Sequence, residues 1–145
     1  MADPRAMNHI TETLAEYLAA KQTQAIAAID ARGFIFGAPV AAKLSVPFVP
    51  LRKAGKLPPP VVGADYALEY GTARLEASTS GATPGQNIAI VDDLLATGGT
   101  AAAGAKLLES LGANVVSIVF LVELTFLSGR DLLPSEVDVF SMVQY

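Results

Sequence analysis

The run from Asn87 to Leu111, NIAIVDDLLATGGTAAAGAKLLESL, constrains this chain more than any other stretch. Ile88-Ala89-Ile90-Val91 is apolar at every position. It has no polar face to offer water, which is how a strand covered on both sides of a parallel sheet reads. Asp92 and Asp93 follow at its carboxyl end. Ala96-Thr97-Gly98-Gly99-Thr100 then supplies small residues, two hydroxyls and adjacent glycines. Beyond them Ala103, Leu107 and Leu111 recur every fourth residue, the spacing of a helix with one apolar stripe. The order is strand, acidic pair, glycine loop, helix.

That order carries specific chemistry. Glycines let the backbone turn successive N–H groups into a concavity, the helix opens with unpaired N–H groups and the positive end of its dipole, and threonine hydroxyls add donors. A phosphate dianion fits there. Two carboxylates beside a phosphate would repel it, so they face something else, either the vicinal hydroxyls of a ribose or a divalent cation. A ribose 5-phosphate satisfies both halves. A Walker-type loop is excluded because no Gly-Lys-Ser/Thr ending is present, and no G-x-G-x-x-G opens a helix here.

The remainder agrees with one α/β domain over residues 1–145. A chain of 145 residues, 52% hydrophobic, can bury a substantial core. A net charge of −4 without a basic run argues against nucleic acid as a partner. The chain has no cysteine and one histidine, which removes disulfides, thiolate chemistry and a His-based metal site. There is no charged-then-apolar leader pattern and no apolar run of membrane-spanning length, so no membrane is expected and the cytoplasm is the default compartment.

Taken in order, Ile10, Leu14, Tyr17 and Leu18 define a helix over one sheet face, with Asp3 or Asn8 as cap and His9 exposed in its first turns. Ala25 to Ile29 is a second buried strand, followed by Asp30-Ala31-Arg32-Gly33. That turn offers a guanidinium fork and backbone N–H groups to a pyrophosphate, unless Asp30 and Arg32 simply pair with each other. Phe34 to Leu44 continues as a helix with Phe34 and Phe36 in the core. Val46 to Leu51 is a strand, and Arg52, Lys53 and Lys56 after it put three cations where open α/β sheets bind ligands, which favours a diphosphate. The prolines at 58–60 make residues 57–64 a loop. Tyr66, Leu68 and Tyr70 alternate before Gly71, so about 57–78 form a projecting hairpin. Val115 to Val122 is another buried strand, 123–131 a short helix or turn, and 137–143 a terminal strand. Strands alternating with helices give a central parallel sheet flanked by helices.

At this point VDDLLATGGT (Val91–Thr100) resembles the phosphoribosyl diphosphate motif of type I phosphoribosyltransferases, in its adenine phosphoribosyltransferase form. ARGFIFGAPVA (Ala31–Ala41) is similar to the pyrophosphate loop of that family, and LEYG (Leu68–Gly71) to the signature of its mobile lid. The resemblance runs from about Asp3 to Tyr145. It implies transfer of a 5-phosphoribosyl group from the diphosphate donor to adenine, giving AMP and pyrophosphate, with Mg2+ entering by way of the substrate near Asp92 and Asp93 and no side chain assigned as its direct ligand. By resemblance Asp92 and Asp93 hold the ribose hydroxyls and Ala96, Thr97, Gly98, Gly99 and Thr100 bind the 5-phosphate. Ala31 (through its backbone), Arg32, Gly33, Arg52, Lys53 and Lys56 serve the diphosphate, Leu94 lines the purine pocket, Tyr70 contacts substrate, and Glu69 is the catalytic carboxylate. A homodimer is implied, with Arg52 acting across its interface. The family also carries an N-terminal PG-x-x-FRD-like segment that contacts the base, which the present sequence does not contain. Two other readings stand beside this one. One is a regulatory domain that binds the donor without catalysis; the other is a phosphoribosyltransferase for a different purine.

Overall fold

The computed structural model describes residues 3–68 and 71–145. Strands β1 (Ala25–Ile29), β2 (Phe48–Lys53), β3 (Val61–Leu68), β4 (Gly71–Ser78), β5 (Asn87–Leu95), β6 (Asn114–Glu123) and β7 (Asp138–Gln144) form one seven-stranded sheet in the order β3-β4-β2-β1-β5-β6-β7. β2, β1, β5, β6 and β7 are mutually parallel, and the β3–β4 hairpin joins antiparallel at the β2 edge. Helices α1 (Pro4–Ala19) and α2 (Gly33–Leu44) cover one face and α3 (Gly99–Ser110) the other.

The alternation of strand side chains decides which layer each residue joins. Ile26, Ala28, Ala89 and Val91 point to Leu14 and Leu18 of α1 and to Phe36 and Val40 of α2. Ala25, Ala27, Ile29, Ile88 and Ile90 point to Leu107 and Leu108 of α3. Both faces of β1 and β5 are therefore buried, as their unbroken apolar runs require. Asp3 caps α1, its side chain accepting from the Arg5 N–H at 2.9 Å. Phe36 is in the core, and Phe34 packs edge-on against Phe48 with ring centroids 5.5 Å apart. His9 is exposed.

The boundaries differ from the expectations at several points, β5 among them: it does not stop at Val91 but carries the acidic pair and runs on to Leu95, paired with β6. β2 begins at Phe48, not Val46, and runs through Arg52 and Lys53, because these two pair with Glu76 and Leu75 of the incoming β4. The expected loop over 57–64 ends at Pro60: Val61 and Val62 already pair with Ser78 and Ala77, β-branched residues taking up the pleat as soon as the prolines end. The hairpin is not wholly projecting either. Its base is zipped to β2, and Leu75 and Ala77 lie in the core. The turn region beyond β6 resolves into two short 3-10 helices, Thr125–Leu127 and Gly129–Leu132. Among the described residues, no helix is long and apolar enough to cross a membrane.

Candidate active site

β1 leads toward β2 on one side and β5 leads toward β6 on the other, so the sheet order reverses between β1 and β5. At such a switch point the loops leaving the carboxyl ends of the two strands separate and open a crevice. Asp30 to Arg32 leaves β1 for α2, and Ala96 to Gly98 leaves β5 for α3. A cleft of about 390 Å³ lies there, lined among others by Asp30, Ala31, Arg32, Lys53, Asp92, Asp93 and Thr100. A second cavity of about 200 Å³ is lined by Leu94, Ala96, Thr97, Gly98, Gly99 and Thr100 together with Arg32, Asp92 and Asp93. Arg32, Asp92, Asp93 and Thr100 belong to both, which makes the two one continuous site.

The acidic pair lies within the carboxyl-terminal half of β5, two residues before its end. Asp92 Oδ1 accepts from the Asp93 N–H at 2.9 Å, and Asp93 is ion-paired with Arg32. Burial pushes the Asp92 carboxyl up to about 7, and the charge of Asp93 adds to the effect. Gly33 is what allows α2 to start against this strand. A methyl group there would stand 2.8 Å from the Val91 carbonyl oxygen and 2.9 Å from Asp92 Oδ1. Gly33 thus supports the acidic pair from below, while Ala31 and Arg32 above it are exposed.

Asp30 and Arg32 are not each other's partners. Asp30, almost fully buried, takes Arg52 Nε at 3.0 Å and Lys56 Nζ at 3.5 Å on one carboxylate oxygen. Arg52 also donates to the Lys56 carbonyl at 2.8 Å. Burial alone would raise the Asp30 carboxyl, but the Arg52 hydrogen bond and the Lys56 and Arg52 charges outweigh it and hold the group below its ordinary value. Arg52 and Lys56 are therefore engaged at the rim, whereas Lys53 and Arg32 stand in the cleft. The Asp30–Ala31 peptide is cis.

Past the acidic pair, Gly98 adopts φ +84 as the residue before α3, and no side chain caps that helix. Its first-turn N–H groups and the Thr97 and Thr100 hydroxyls frame the smaller cavity, a donor set suited to a phosphate. Among the described residues no cluster of three or more His, Cys, Asp or Glu could hold a metal. Of the two carboxylates in the cleft, Asp93 is engaged by Arg32. Glu69 and Tyr70 lie outside the described residues. Tyr66 and Leu75, which sequence reasoning did not assign to the site, wall the larger cleft from the hairpin. Their alternation with the hairpin's exposed positions was the available signal.

Comparison with known proteins agrees with this geometry. The family model described as a phosphoribosyl transferase domain matches residues 2–141. The adenine phosphoribosyltransferase of Methanococcus maripaludis is 50% identical over all 145 residues, which span 84% of that protein. The crystal structure of adenine phosphoribosyltransferase from Thermoanaerobacter pseudethanolicus superposes with a TM-score of 0.95 at 52% identity, covering 99% of this chain and 83% of that one. That of the Saccharomyces cerevisiae enzyme, complexed with adenine and an imino-altritol bisphosphate, gives 0.89 at 38% identity, covering 97% and 81%. By sequence and by fold, the chain belongs to the phosphoribosyltransferase family, among the adenine phosphoribosyltransferases.

Proposed function

We propose that the chain transfers the 5-phosphoribosyl group of phosphoribosyl diphosphate to adenine, forming AMP and pyrophosphate in purine salvage. The observation that carries the reading is the single cleft at the switch point, in which a phosphate-type loop, an acidic pair and two cations share walls. The Trypanosoma brucei adenine phosphoribosyltransferase, 29% identical with a TM-score of 0.91, was crystallised with AMP, pyrophosphate and ribose 5-phosphate, the set of ligands this arrangement suits.

In this reading the loop from Ala96 to Thr100 holds the 5-phosphate, and Asp92 and Asp93 accept from the ribose hydroxyls. Arg32, Lys53 and the Ala31 backbone take the diphosphate, with Arg52 and Lys56 adding positive potential from the rim. The bond from C1 to the diphosphate oxygen breaks, its electron pair leaving on pyrophosphate, and a bond from C1 to the purine nitrogen forms as that nitrogen loses its proton. Charge builds on the leaving group and on a cation-like C1. Fixed cations at one end and oriented reactants are the terms that lower the barrier. Magnesium, when bound with the diphosphate, would offset part of its negative charge. Glu69 handles the purine proton, and the hairpin closes over the site to keep water from the sugar centre. Leu94 borders the purine. The resemblance extends the reading to a homodimer, and Arg52 would have to leave Asp30 to serve a second copy.

Adenine-dependent pyrophosphate release from the donor with magnesium tests the proposal, alongside calorimetric binding of the donor alone. Turnover that needs adenine supports it. Donor binding without turnover overturns the enzyme and leaves a sensor, and turnover with a 6-oxopurine in place of adenine overturns the acceptor.

A further inference from the structure

The phosphate loop is braced from behind by a segment that does not touch the cleft. A methyl group on Gly98 would stand 2.1 Å from the Gly129 carbonyl oxygen, and one on Gly129 would stand 2.1 Å from the Ala96 carbonyl oxygen and 3.0 Å from Leu95 Cδ1. The two backbones are therefore in direct contact, with no space for a side chain on either. The Leu124 N–H donates to the Leu95 carbonyl at 2.9 Å, so the bracing segment is fastened to the end of β5 as well.

What holds Gly129 there is its neighbour. Arg130 donates from Nε and Nη2 to the two carboxylate oxygens of Glu123 at 2.6 and 2.7 Å, and from Nη1 to the Val139 carbonyl at 3.1 Å. Gln144 Nε2 adds a bond to Glu123 Oε2 at 3.0 Å. Glu123 is only 5% exposed. The Arg130 hydrogen bond, ahead of those from other neighbours, pulls its carboxyl down to about 2 despite burial. The 3-10 segment is closed at its other end by Thr125, whose N–H and hydroxyl both donate to the Tyr145 carbonyl at 2.8 and 2.6 Å. One guanidinium thus ties the segment to the end of β6 and the start of β7, a task that needs a planar fork with several donors.

We propose that Gly129 and Arg130 are positioning residues for the 5-phosphate loop: Gly129 sets the path of Ala96 to Gly98 by backbone contact, and Arg130 fixes Gly129 to the end of β6 and the start of β7. This rests on the reading of that loop as the 5-phosphate site. Among the described residues lining the two cavities neither appears, so they act only through the loop. The N–H groups of such a loop must converge on one anion, and a displacement of about 1 Å is enough to cost a large factor in affinity.

The test is calorimetry on the whole chain with two probes, ribose 5-phosphate for the loop and pyrophosphate with magnesium for the β1 side. Arg130→Gln and Gly129→Ala are expected to weaken ribose 5-phosphate by about tenfold or more and to leave pyrophosphate within about twofold, because the latter depends on Arg32 and Lys53. Arg130→Lys, which keeps the charge but not the fork, should fall between wild type and Arg130→Gln. Leu14→Ala, which hollows the core under α1 on the other face of the sheet, is the control for general loss of stability and should change neither constant. If Gly129→Ala does not fold, the two Arg130 variants decide the matter alone. Wild-type ribose 5-phosphate affinity in a folded Arg130→Gln, or an equal loss for both probes, overturns the positioning role. A wild-type chain that binds pyrophosphate but not ribose 5-phosphate overturns instead the 5-phosphate reading on which the role rests.

Discussion

Among the described residues Asp92 stands where a carboxylate is hardest to ionise: half-buried in the carboxyl-terminal half of β5, next to a second carboxylate, with the Arg32 cation on that neighbour. Its folded pKa of about 7 lies above the unfolded value near 3.9. Between the two, the folded state binds more protons than the unfolded state, so stability falls as pH rises through that window and levels off above it. The cost at neutral pH is of order 2–4 kcal/mol. Asp92→Asn should therefore raise the melting temperature of the unliganded chain at pH 7.5 and flatten its dependence between pH 5 and 7, while donor binding is lost. A variant that melts lower than wild type at pH 7.5 would refute the burial argument. Gly33→Ala moves the same group by sterics. Its methyl meets backbone on β5, so we expect a stability loss of about 1–3 kcal/mol, measured by urea titration, with donor affinity reduced in the same variant.

At the scale of elements, the β3–β4 hairpin is two things at once. Its base is part of the sheet, since Leu75 is 1% exposed and pairs with Lys53, whereas Gly71 and Thr72 near the turn are exposed. Hydrogen exchange should be slow at Leu75 to Ser78 and fast at Gly71 to Ala73, and Leu75→Ala should cost about 2–4 kcal/mol. Uniform fast exchange along β4 would mean that the whole hairpin is a free arm. The amino-acid pattern conveyed only half of this. Apolar runs such as Ile88 to Val91 fix buried strands because period and burial coincide, and the glycine loop after them is legible for the same local reason. Pro58 to Pro60 hid the start of β3, because a proline run ends regular structure without telling where it resumes. The partners of Asp30 were not legible either. Arg32 is two residues away in sequence, but it opens α2 and turns to β5, leaving Asp30 to cations that arrive with β2. Gly129 fell inside the expected short helix or turn at 123–131, since nothing local announces that another backbone rests on it.

At the scale of the whole molecule, the site lies between the loops that leave β1 and β5, two strands that pair with each other and share a core on each face of the sheet. The residues proposed to face the diphosphate follow β1 and open α2 on one face, while the proposed phosphate loop follows β5 and opens α3 on the other. A ligand that fills both cavities spans the junction and stabilises the folded state by mass action, about 2.7 kcal/mol at a hundredfold excess over its dissociation constant. For a domain of this size that corresponds to a rise of roughly 6–12 °C in melting temperature. The donor with magnesium should produce such a shift, and adenine alone, which engages neither the phosphate loop nor the cations, a much smaller one. The paired Asp92→Asn and Asp93→Asn substitution should abolish the donor shift while the unliganded protein still melts cooperatively. If the donor raises the melting temperature of that double variant as much as it raises wild type, the ribose is not held by the acidic pair, and the two cavities are not filled by one ligand in the way the switch-point geometry requires.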